Sequence, residues 1–153
     1  MRLLEYEAKQ VLRPFGFALP CGVIIRQLDE IAQALSGLSF PAMIKAQVPI
    51  GGRGKVGAVV QVPDLPAARG VITQLLSGQV RGHAVEGVLV EARIPIRREF
   101  FLAVAYDTVA KQVVLLASGA GGIDVEAATR TASGGLVRRS VDPRRGLYNR
   151  GRC

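Results

Sequence analysis

The chain has 153 residues, of which 49% are apolar and 21% are charged, as expected for a globular domain with its own core. No apolar run is long enough to cross a bilayer, and Glu5 and Glu7 stand where a signal peptide would be apolar. We therefore expect a cytoplasmic protein that does not bind membranes. Cys21 and Cys153 are the only cysteines, which excludes a disulfide framework or a cysteine-rich zinc site.

The formal net charge of +8 is concentrated near the C-terminus. Residues 138–153 contain six arginines and one acid, which together contribute +5. A basic tail of this kind can bind nucleic acid through counterion release. This one contains a single aromatic residue, Tyr148, and matches no recognition module. Nucleic-acid binding is therefore kept as an alternative and is not the main interpretation.

Hydrophobic periodicity and turn residues predict helices that alternate with strands, followed by a strand meander. The predicted elements are helix 3–13, a short strand before Ile25, a helix from Asp29 to about Leu35, strand 40–46, strand 58–62, helix 67–76 opened by Asp64 or Pro66, and strands 87–93, 98–107 and 112–118. Pro14 and Gly16 end the first helix, and the stretch from Gly119 onward shows little periodicity. This order predicts an α+β (mixed α/β) architecture.

Residues 45–57 form a basic, glycine-rich loop that contains four glycines and three cations. Glycine permits positive φ and lets a ligand approach the backbone N–H groups closely. Lysine and arginine beside such a loop favour an anion, most often a phosphate. The alternative is a solvated turn that is basic without binding anything.

The neighbours of this loop decide which phosphate-binding device it can be. A P-loop is excluded because Gly54-Lys55 is followed by Val56 and not by Ser or Thr. The Gly-x-Gly-x-x-Gly spacing that begins at Gly52 fits a dinucleotide fingerprint, but residues 58–62 predict a strand where that fingerprint requires a helix. A protein kinase is excluded because the chain has no His-Arg-Asp or Asp-Phe-Gly motif. We therefore predict a glycine-rich flap between two strands, a nucleotide-binding hairpin of another kind.

Four motifs occur in a characteristic order along the chain. They are Leu4-Glu5-Tyr6-x-Ala8-Lys9-Gln10, Ile44-Lys45-Ala46-Gln47-Val48-x-x-Gly51-Gly52-Arg53-Gly54-Lys55-x-Gly57, Val88-Leu89-Val90-Glu91 and Arg98-Glu99. From Met1 to about Pro143 the chain resembles the N-terminal, ATP-grasp part of the β subunit of succinate–CoA ligase (succinyl-CoA synthetase). Malate–CoA ligase and ATP-citrate lyase are relatives of that family. The resemblance implies a two-lobed ATP-grasp fold with a truncated second lobe. Residues 21–94 would form the first lobe, 1–20 and 95–142 part of the second, and 143–153 an irregular basic tail.

The resemblance also implies roles for individual residues and assigns no catalytic residue to this chain. Lys45 would contact the nucleotide phosphates, and Gly52, Arg53 and Gly54 would form the flap above them. Glu91 would lie on the strand that meets the adenine, with an ordinary strand-end acid as the alternative. The remaining predicted contact is Glu99, near the sugar, with a surface acid paired to Arg98 as the alternative.

By the same resemblance, the intact enzyme converts ATP, succinate or a similar carboxylic acid, and CoA to acyl-CoA, ADP and phosphate. The reaction passes through a phosphohistidine on a partner α subunit, so His83, in a predicted loop, is expected to be a surface histidine. Ala120 stands where the family has an acid in Ser-x-Glu-Gly-Gly. The family's Mg²⁺ ligands, an Asn and an Asp, and its ligase-type domain lie farther along than Cys153, so the resemblance implies no Mg²⁺ ligands here.

The resemblance leads to the expectation that the chain is the N-terminal part of a β subunit and is inactive alone. It would be an excised domain, the product of a degraded gene, or a frameshifted copy. A missing part of the second lobe would expose an apolar face and promote association or instability. Two alternatives stay open. One is a non-catalytic ATP-binding module, and the other is a nucleic-acid-binding protein that acts through its basic tail.

Overall fold

The computed structural model describes residues 2–119, 121, 136–142 and 144, and the chain divides into two compact units, Met1–Pro95 and Ile96–Cys153. The first unit contains helices α1 (Glu5–Leu12), α2 (Ile31–Ala34) and α3 (Leu65–Leu76), and strands β1 (Gly22–Ile25), β2 (Ala42–Gln47), β3 (Val59–Val62), β4 (Gln79–Val80), β5 (His83–Ala84) and β6 (Gly87–Ala92). The second unit contains strands β7 (Phe101–Asp107), β8 (Gln112–Ser118) and β9 (Val137–Val141). The described residues thus combine helices with antiparallel sheets, and the predicted α+β class is confirmed.

The first unit is built on a four-stranded antiparallel sheet with the strand order β1-β6-β2-β3. Of its two inner strands, β6 is buried from Gly87 to Glu91, whereas β2 has Met43 and Lys45 half-buried between buried neighbours. Ile44, Val88 and Val90 from these strands pack with Ile72 of α3 in one core. The core therefore holds both inner strands in fixed positions at the end of the sheet where the glycine-rich loop begins.

The glycine-rich loop connects β2 to β3, and these strands pair antiparallel with Lys45 opposite Val59. The prediction of a hairpin around this loop is therefore confirmed. Helix α3 follows directly, and the Asp64 carboxylate accepts a hydrogen bond from the Ala67 N–H at 2.9 Å. Asp64 is thus the N-cap, as one of the two predicted openings proposed.

The prediction that Asp29 caps the second helix is wrong. A 3₁₀ turn at Leu28–Glu30 precedes α2, so Asp29 lies inside helical structure. The Glu30 carboxylate accepts hydrogen bonds from the backbone N–H groups of Arg26 and Gln27, at 2.7 and 3.2 Å. These hydrogen bonds lower the pKa of Glu30 and give partners to two N–H groups at the start of the 3₁₀ turn.

Three strands, β4, β5 and β9, were not predicted from the sequence. Strands β4 and β5 form a two-residue ladder joined at Arg81 and Gly82, both of which have positive φ. His83 therefore lies on a strand and not in a loop, although its side chain is exposed as expected. Strand β9 contains Arg138 and Arg139, and its polar composition concealed it from a search for apolar periodicity.

The predicted division into lobes remains a prediction. Helix α1 belongs to the compact unit Met1–Pro95, whereas the lobe prediction grouped residues 1–20 with 95–142. Ala120 and most of the predicted tail at 143–153 lie outside the described residues. Within the part of the chain that the structure describes, no helix has the length and apolarity needed to cross a membrane.

The sheet of the second unit, with the order β7-β8-β9, has an exposed apolar face. Leu102, Val104 and Tyr106 are 64%, 71% and 60% exposed and alternate along β7, so they lie on the same side of the sheet. Their register partners on β8 continue this face through Leu115 and Val113. An apolar surface of this extent is typical of an interaction site.

We expect the purified chain to self-associate as its concentration rises, because association removes this apolar face from water. Val104→Glu puts a charge in the middle of the face and should shift the population toward monomer in sedimentation velocity measurements. Val109→Glu is the matched control, since Val109 is 93% exposed in the turn outside the face. Wild-type chain that stays monodisperse and monomeric at all concentrations would contradict the prediction.

Candidate functional site

Five charged side chains meet at the end of β2, and we call them the ionic cluster. Helix α1 provides Glu5 and Lys9, one helical turn apart. Lys45 comes from β2, Arg53 from the glycine-rich loop and Glu91 from the buried strand β6. The cluster therefore joins four parts of the first unit, and it contains three cations and two carboxylates.

Each carboxylate of the ionic cluster contacts more than one cation. Glu5 Oε1 lies 2.8 Å from Lys45 Nζ and 3.1 Å from Lys9 Nζ, while Glu5 Oε2 lies 2.5 Å from Arg53 Nη2. Glu91 Oε2 lies 2.8 Å from Lys45 Nζ, and Glu91 Oε1 pairs with Lys9. Glu5 thus bridges Lys45 and Arg53 with one oxygen on each, as two oxygens of a phosphate would.

Two members of the ionic cluster, Glu5 and Lys45, have pKa values shifted by their neighbours. Burial by itself would raise the pKa of Glu5, but the hydrogen bonds and charges of Lys45, Arg53 and Lys9 lower it to about 2. Burial likewise opposes the charge on Lys45, whereas its bonds to Glu5 and Glu91 raise its pKa above the ordinary value. Both groups are therefore ionised at neutral pH.

Gln47 fixes helix α1 to the end of β2. Its side chain is fully buried, its Oε1 accepts a hydrogen bond from the Tyr6 N–H at 3.2 Å, and its Nε2 donates to the Lys45 carbonyl at 3.0 Å. The Glu7 carboxylate caps the same end of α1 by accepting from the Leu4 N–H at 2.8 Å. The Glu7 bond is local to α1, so the Gln47 bonds are the ones that set where Glu5 enters the ionic cluster.

The glycine-rich loop folds so that Arg53 points back toward β2. A 3₁₀ turn at Arg53–Val56 is bounded by Gly52 and Gly57, whose φ values of 67° and 70° are left-handed. Only glycine adopts that region without strain. Arg53 Nη1 then donates to the Ala46 carbonyl at 2.8 Å. Gly54 lies within the turn itself, so it does not use the left-handed region.

Space for Glu91 depends on the residue opposite it on β1. Glu91 pairs with Gly22 in the antiparallel register. A Cβ atom at position 22 would lie 2.6 Å from the Glu91 Cγ, which is closer than atoms can approach. Glycine at this position therefore permits the Glu91 side chain to turn toward Lys9 and Lys45.

A cavity of about 260 Å³ adjoins the ionic cluster and shares Lys9 and Glu91 with it. Its walls come from α1, from the segment before β1, and from β1 and β6. The lining residues are Tyr6, Lys9, Gln10, Arg13, Pro20, Gly22, Ile24, Leu89 and Glu91. The site thus offers cations at one end and a partly apolar concavity beside them.

The structure brings most of the predicted site residues together. Lys45, Arg53 and Glu91 are in one cluster, and Gly52 and Gly54 belong to the loop that carries Arg53. Glu99 is exposed and lies in the second unit. The nucleotide contacts assigned to these residues remain predictions.

Three residues of the site, Glu5, Lys9 and Gln47, were not predicted as site residues from the sequence. Glu5 and Lys9 appeared in the sequence only as part of the first motif, and Gln47 only as part of the glycine-loop motif. The spacing of Glu5 and Lys9 was an available signal, because residues four apart lie on one face of a helix. The long-range partners of Gln47 and Glu91 gave no such local signal.

Among the described residues, no group of three or more His, Cys, Asp or Glu side chains is placed to hold a metal ion. We therefore assign no Mg²⁺ ligand to these residues.

The sequence profile of the ATP-grasp domain family matches residues 2–151. The chain belongs to the ATP-grasp family. This ATP-grasp chain is 35% identical over 147 residues to the β subunit of the ADP-forming succinate–CoA ligase of Ignicoccus hospitalis. It is also 35% identical over 147 residues to a subunit of the ADP-forming sulfoacetate–CoA ligase of Bilophila wadsworthia. In both comparisons 96% of the chain is covered, and the chain spans 39% of the length of each relative.

Solved structures show the same fold. The acetyl-coenzyme A synthetase 1 of Ca. Korarchaeum cryptofilum, in complex with coenzyme A, superposes with a TM-score of 0.70 at 22% identity, covering 90% of this ATP-grasp chain and 59% of that one. The ATP citrate lyase of Methanothrix soehngenii, in complex with citrate and coenzyme A, gives a TM-score of 0.68 at 19% identity, covering 95% and 36%. The predicted ATP-grasp fold is thereby confirmed, together with the resemblance to CoA ligase β subunits.

Glu5→Gln should lower the free energy of unfolding at pH 7 by about 1–2 kcal/mol, after allowance for solvent screening of a partly exposed group. Because the folded-state pKa is lowered from 4.5 to about 2, the stabilisation is present above about pH 4.5 and is lost as pH falls toward 2. The difference between wild type and variant should therefore shrink over that window in urea unfolding. A difference that stays constant from pH 7 to pH 2.5 would contradict the assignment.

Gln47→Leu should destabilise the chain by about 1–3 kcal/mol, because it leaves the partly buried Tyr6 N–H without its hydrogen-bond acceptor. Gln61→Leu on β3 makes the same chemical change at an exposed position and should alter the unfolding free energy by less than about 0.5 kcal/mol. Urea unfolding at pH 7 compares the two. Equal effects would show that Gln47 does not anchor α1.

Proposed function

We propose that the ionic cluster and the glycine-rich loop bind the phosphates of ATP, and that the chain is the nucleotide-binding part of a β subunit of an ADP-forming acid–CoA ligase. The observation that carries this proposal is the convergence of Lys45 and Arg53 beside the loop. Both cations have been brought to one point by the fold, although they lie on different elements. Two curated relatives that share this part of the chain are ADP-forming CoA ligases by name.

The chemistry of the cluster suits a polyphosphate. Lys45 provides a point charge held at the end of a strand, and the guanidinium of Arg53 can donate two parallel hydrogen bonds. The cations of the cluster exceed its carboxylates by one, so the site retains a positive charge when all five groups are ionised. Backbone N–H groups of the loop that carries Gly52 and Gly54 would add donors where charge develops in phosphoryl transfer.

The adjoining cavity extends this proposal to the rest of the nucleotide. It lies beside Glu91, on the strand predicted to meet the adenine. Leu89 and Ile24 provide apolar walls that a planar base could contact. Glu99 is proposed to act on the sugar side. Mg²⁺, when bound, would neutralise part of the phosphate charge.

For the whole protein we propose the conversion of ATP, CoA and a carboxylic acid to acyl-CoA, ADP and phosphate in the cytoplasm. The partner would be an α subunit that carries a phosphohistidine. Succinate is one candidate acid, but the sulfoacetate ligase among the relatives shows that similar sequences serve other acids. We therefore propose a carboxylic acid of the succinate type without choosing among them.

The test is the binding of Mg²⁺-ATP, measured by calorimetry and thermal shift, on the wild-type chain and on Lys45→Ala. ATP at a hundred times its Kd should stabilise the wild type by about 2.7 kcal/mol. Lys45→Ala should weaken binding at least about tenfold, because it removes a charge-assisted contact. Arg69→Ala, at an exposed position of α3 outside the ionic cluster, removes the same charge and should bind as the wild type does.

Equal affinities for the wild type and Lys45→Ala would contradict the phosphate role of the cluster. Absence of ATP binding in a folded wild-type chain would contradict the proposal as a whole. Turnover in the presence of an α subunit, CoA and a carboxylic acid would separate the ligase function from a non-catalytic ATP-binding module.

A further inference from the structure

Glu5 occupies the position that a phosphate group needs in order to reach both Lys45 and Arg53. Its two oxygens lie 2.8 Å from Lys45 Nζ and 2.5 Å from Arg53 Nη2, which are charge-assisted hydrogen-bond distances. A phosphate that bonded both cations would place its own oxygens at the same donors. The carboxylate and a phosphate bridging these two donors in the same way therefore exclude each other.

We propose that Glu5 is an internal counter-ion that the nucleotide phosphate displaces from Lys45 and Arg53. The inference rests on the proposed function, because it assumes that these two cations bind phosphate. In the absence of nucleotide, the carboxylate holds both cations in place and offsets their repulsion. When a phosphate arrives, Glu5 leaves and the local charge of the cluster becomes more positive by one, which favours the incoming anion.

The position of Glu5 makes this exchange possible. Its side chain is 22% exposed, and it is the first residue of α1, whereas the other carboxylate of the cluster, Glu91, is 3% exposed on a buried strand. Glu91 keeps Lys9 and Lys45 as partners after Glu5 leaves, so each lysine still has a carboxylate to balance its charge. The two carboxylates thus have different roles, one permanent and one exchangeable.

The permanent pairing also explains why displacement would not detach helix α1. Lys9 of that helix remains bound to Glu91, and Gln47 still accepts the Tyr6 N–H. A change in the Glu5 side-chain torsions is therefore sufficient for the exchange. The energetic consequence is that Glu5 weakens nucleotide binding by competing for the same donors.

The experiment compares the Kd values of Mg²⁺-ATP and of inorganic tripolyphosphate for the wild type, Glu5→Gln, Glu7→Gln and Lys45→Ala. Glu5→Gln should bind both probes about three- to tenfold more tightly, since it removes a competing ion-pair partner. Glu7→Gln removes the same charge from the same helix, but Glu7 bonds to Leu4 and Tyr6 and not to the cluster cations. It should change either Kd less than about twofold.

Each outcome bears on a different proposal. If the wild type binds ATP and Lys45→Ala does not, but Glu5→Gln binds as weakly as the wild type or more weakly, the counter-ion inference is overturned and the proposed function stands. If the folded wild type binds neither probe, the proposed function fails and the inference fails with it.

Glu5→Asp, which keeps the charge on a shorter side chain, replaces Glu5→Gln if that variant does not fold. It should bind both probes more tightly than the wild type, because the shorter carboxylate cannot bridge both cations, and unchanged affinity would overturn the inference.

Discussion

The pairing of the buried Glu91 carboxylate with Lys9 and Lys45 is the interaction on which the rest of the site depends. Glu91 lies on an inner strand with only 3% of its side chain exposed, where an unpaired charge would be strongly unfavourable. Two lysines from different elements satisfy it, so helix α1 and strand β2 must both approach β6. Gly22 provides the room for this arrangement, because it leaves β1 without a side chain at the position opposite Glu91.

That constraint connects the N-terminal motif to the glycine-rich loop. Because Lys9 holds α1 against β6, Glu5, which lies one helical turn before Lys9, contacts Lys45 and Arg53. The loop contributes Arg53 because the left-handed glycines at 52 and 57 turn it back toward β2. The result is a group of fixed cations with one removable counter-ion, an arrangement suited to exchanging one anion for another.

The second unit differs from the first in what its sheet buries. The first unit covers one side of its sheet with α3 and forms a continuous core around Ile44 and Ile72. The described strands of the second unit have Leu102, Val104 and Tyr106 exposed on one face instead. The chemistry of the candidate site is therefore built on the better-buried unit, where packing can hold charged groups in place.

The sequence by itself determined the local structure, the loop and much of the site. Periodicity predicted α1 and α3, Asp64 was one of the two predicted starts of α3, and the density of glycine and cations indicated a hairpin at residues 45–57 that is predicted to bind phosphate. Local signals failed where polar residues form structure, as at β9, and where a 3₁₀ turn displaced the helix start from Asp29.

Only the tertiary structure decided that Glu5, Lys9 and Gln47 complete the site. Two of their side-chain contacts are local, namely the Glu5–Lys9 pair and the Gln47 bond to the Lys45 carbonyl. The other residues that their side chains bond lie 40 or more positions away in the sequence. Charge compensation at such separations depends on which strands become neighbours, and that is set by the packing of the whole sheet.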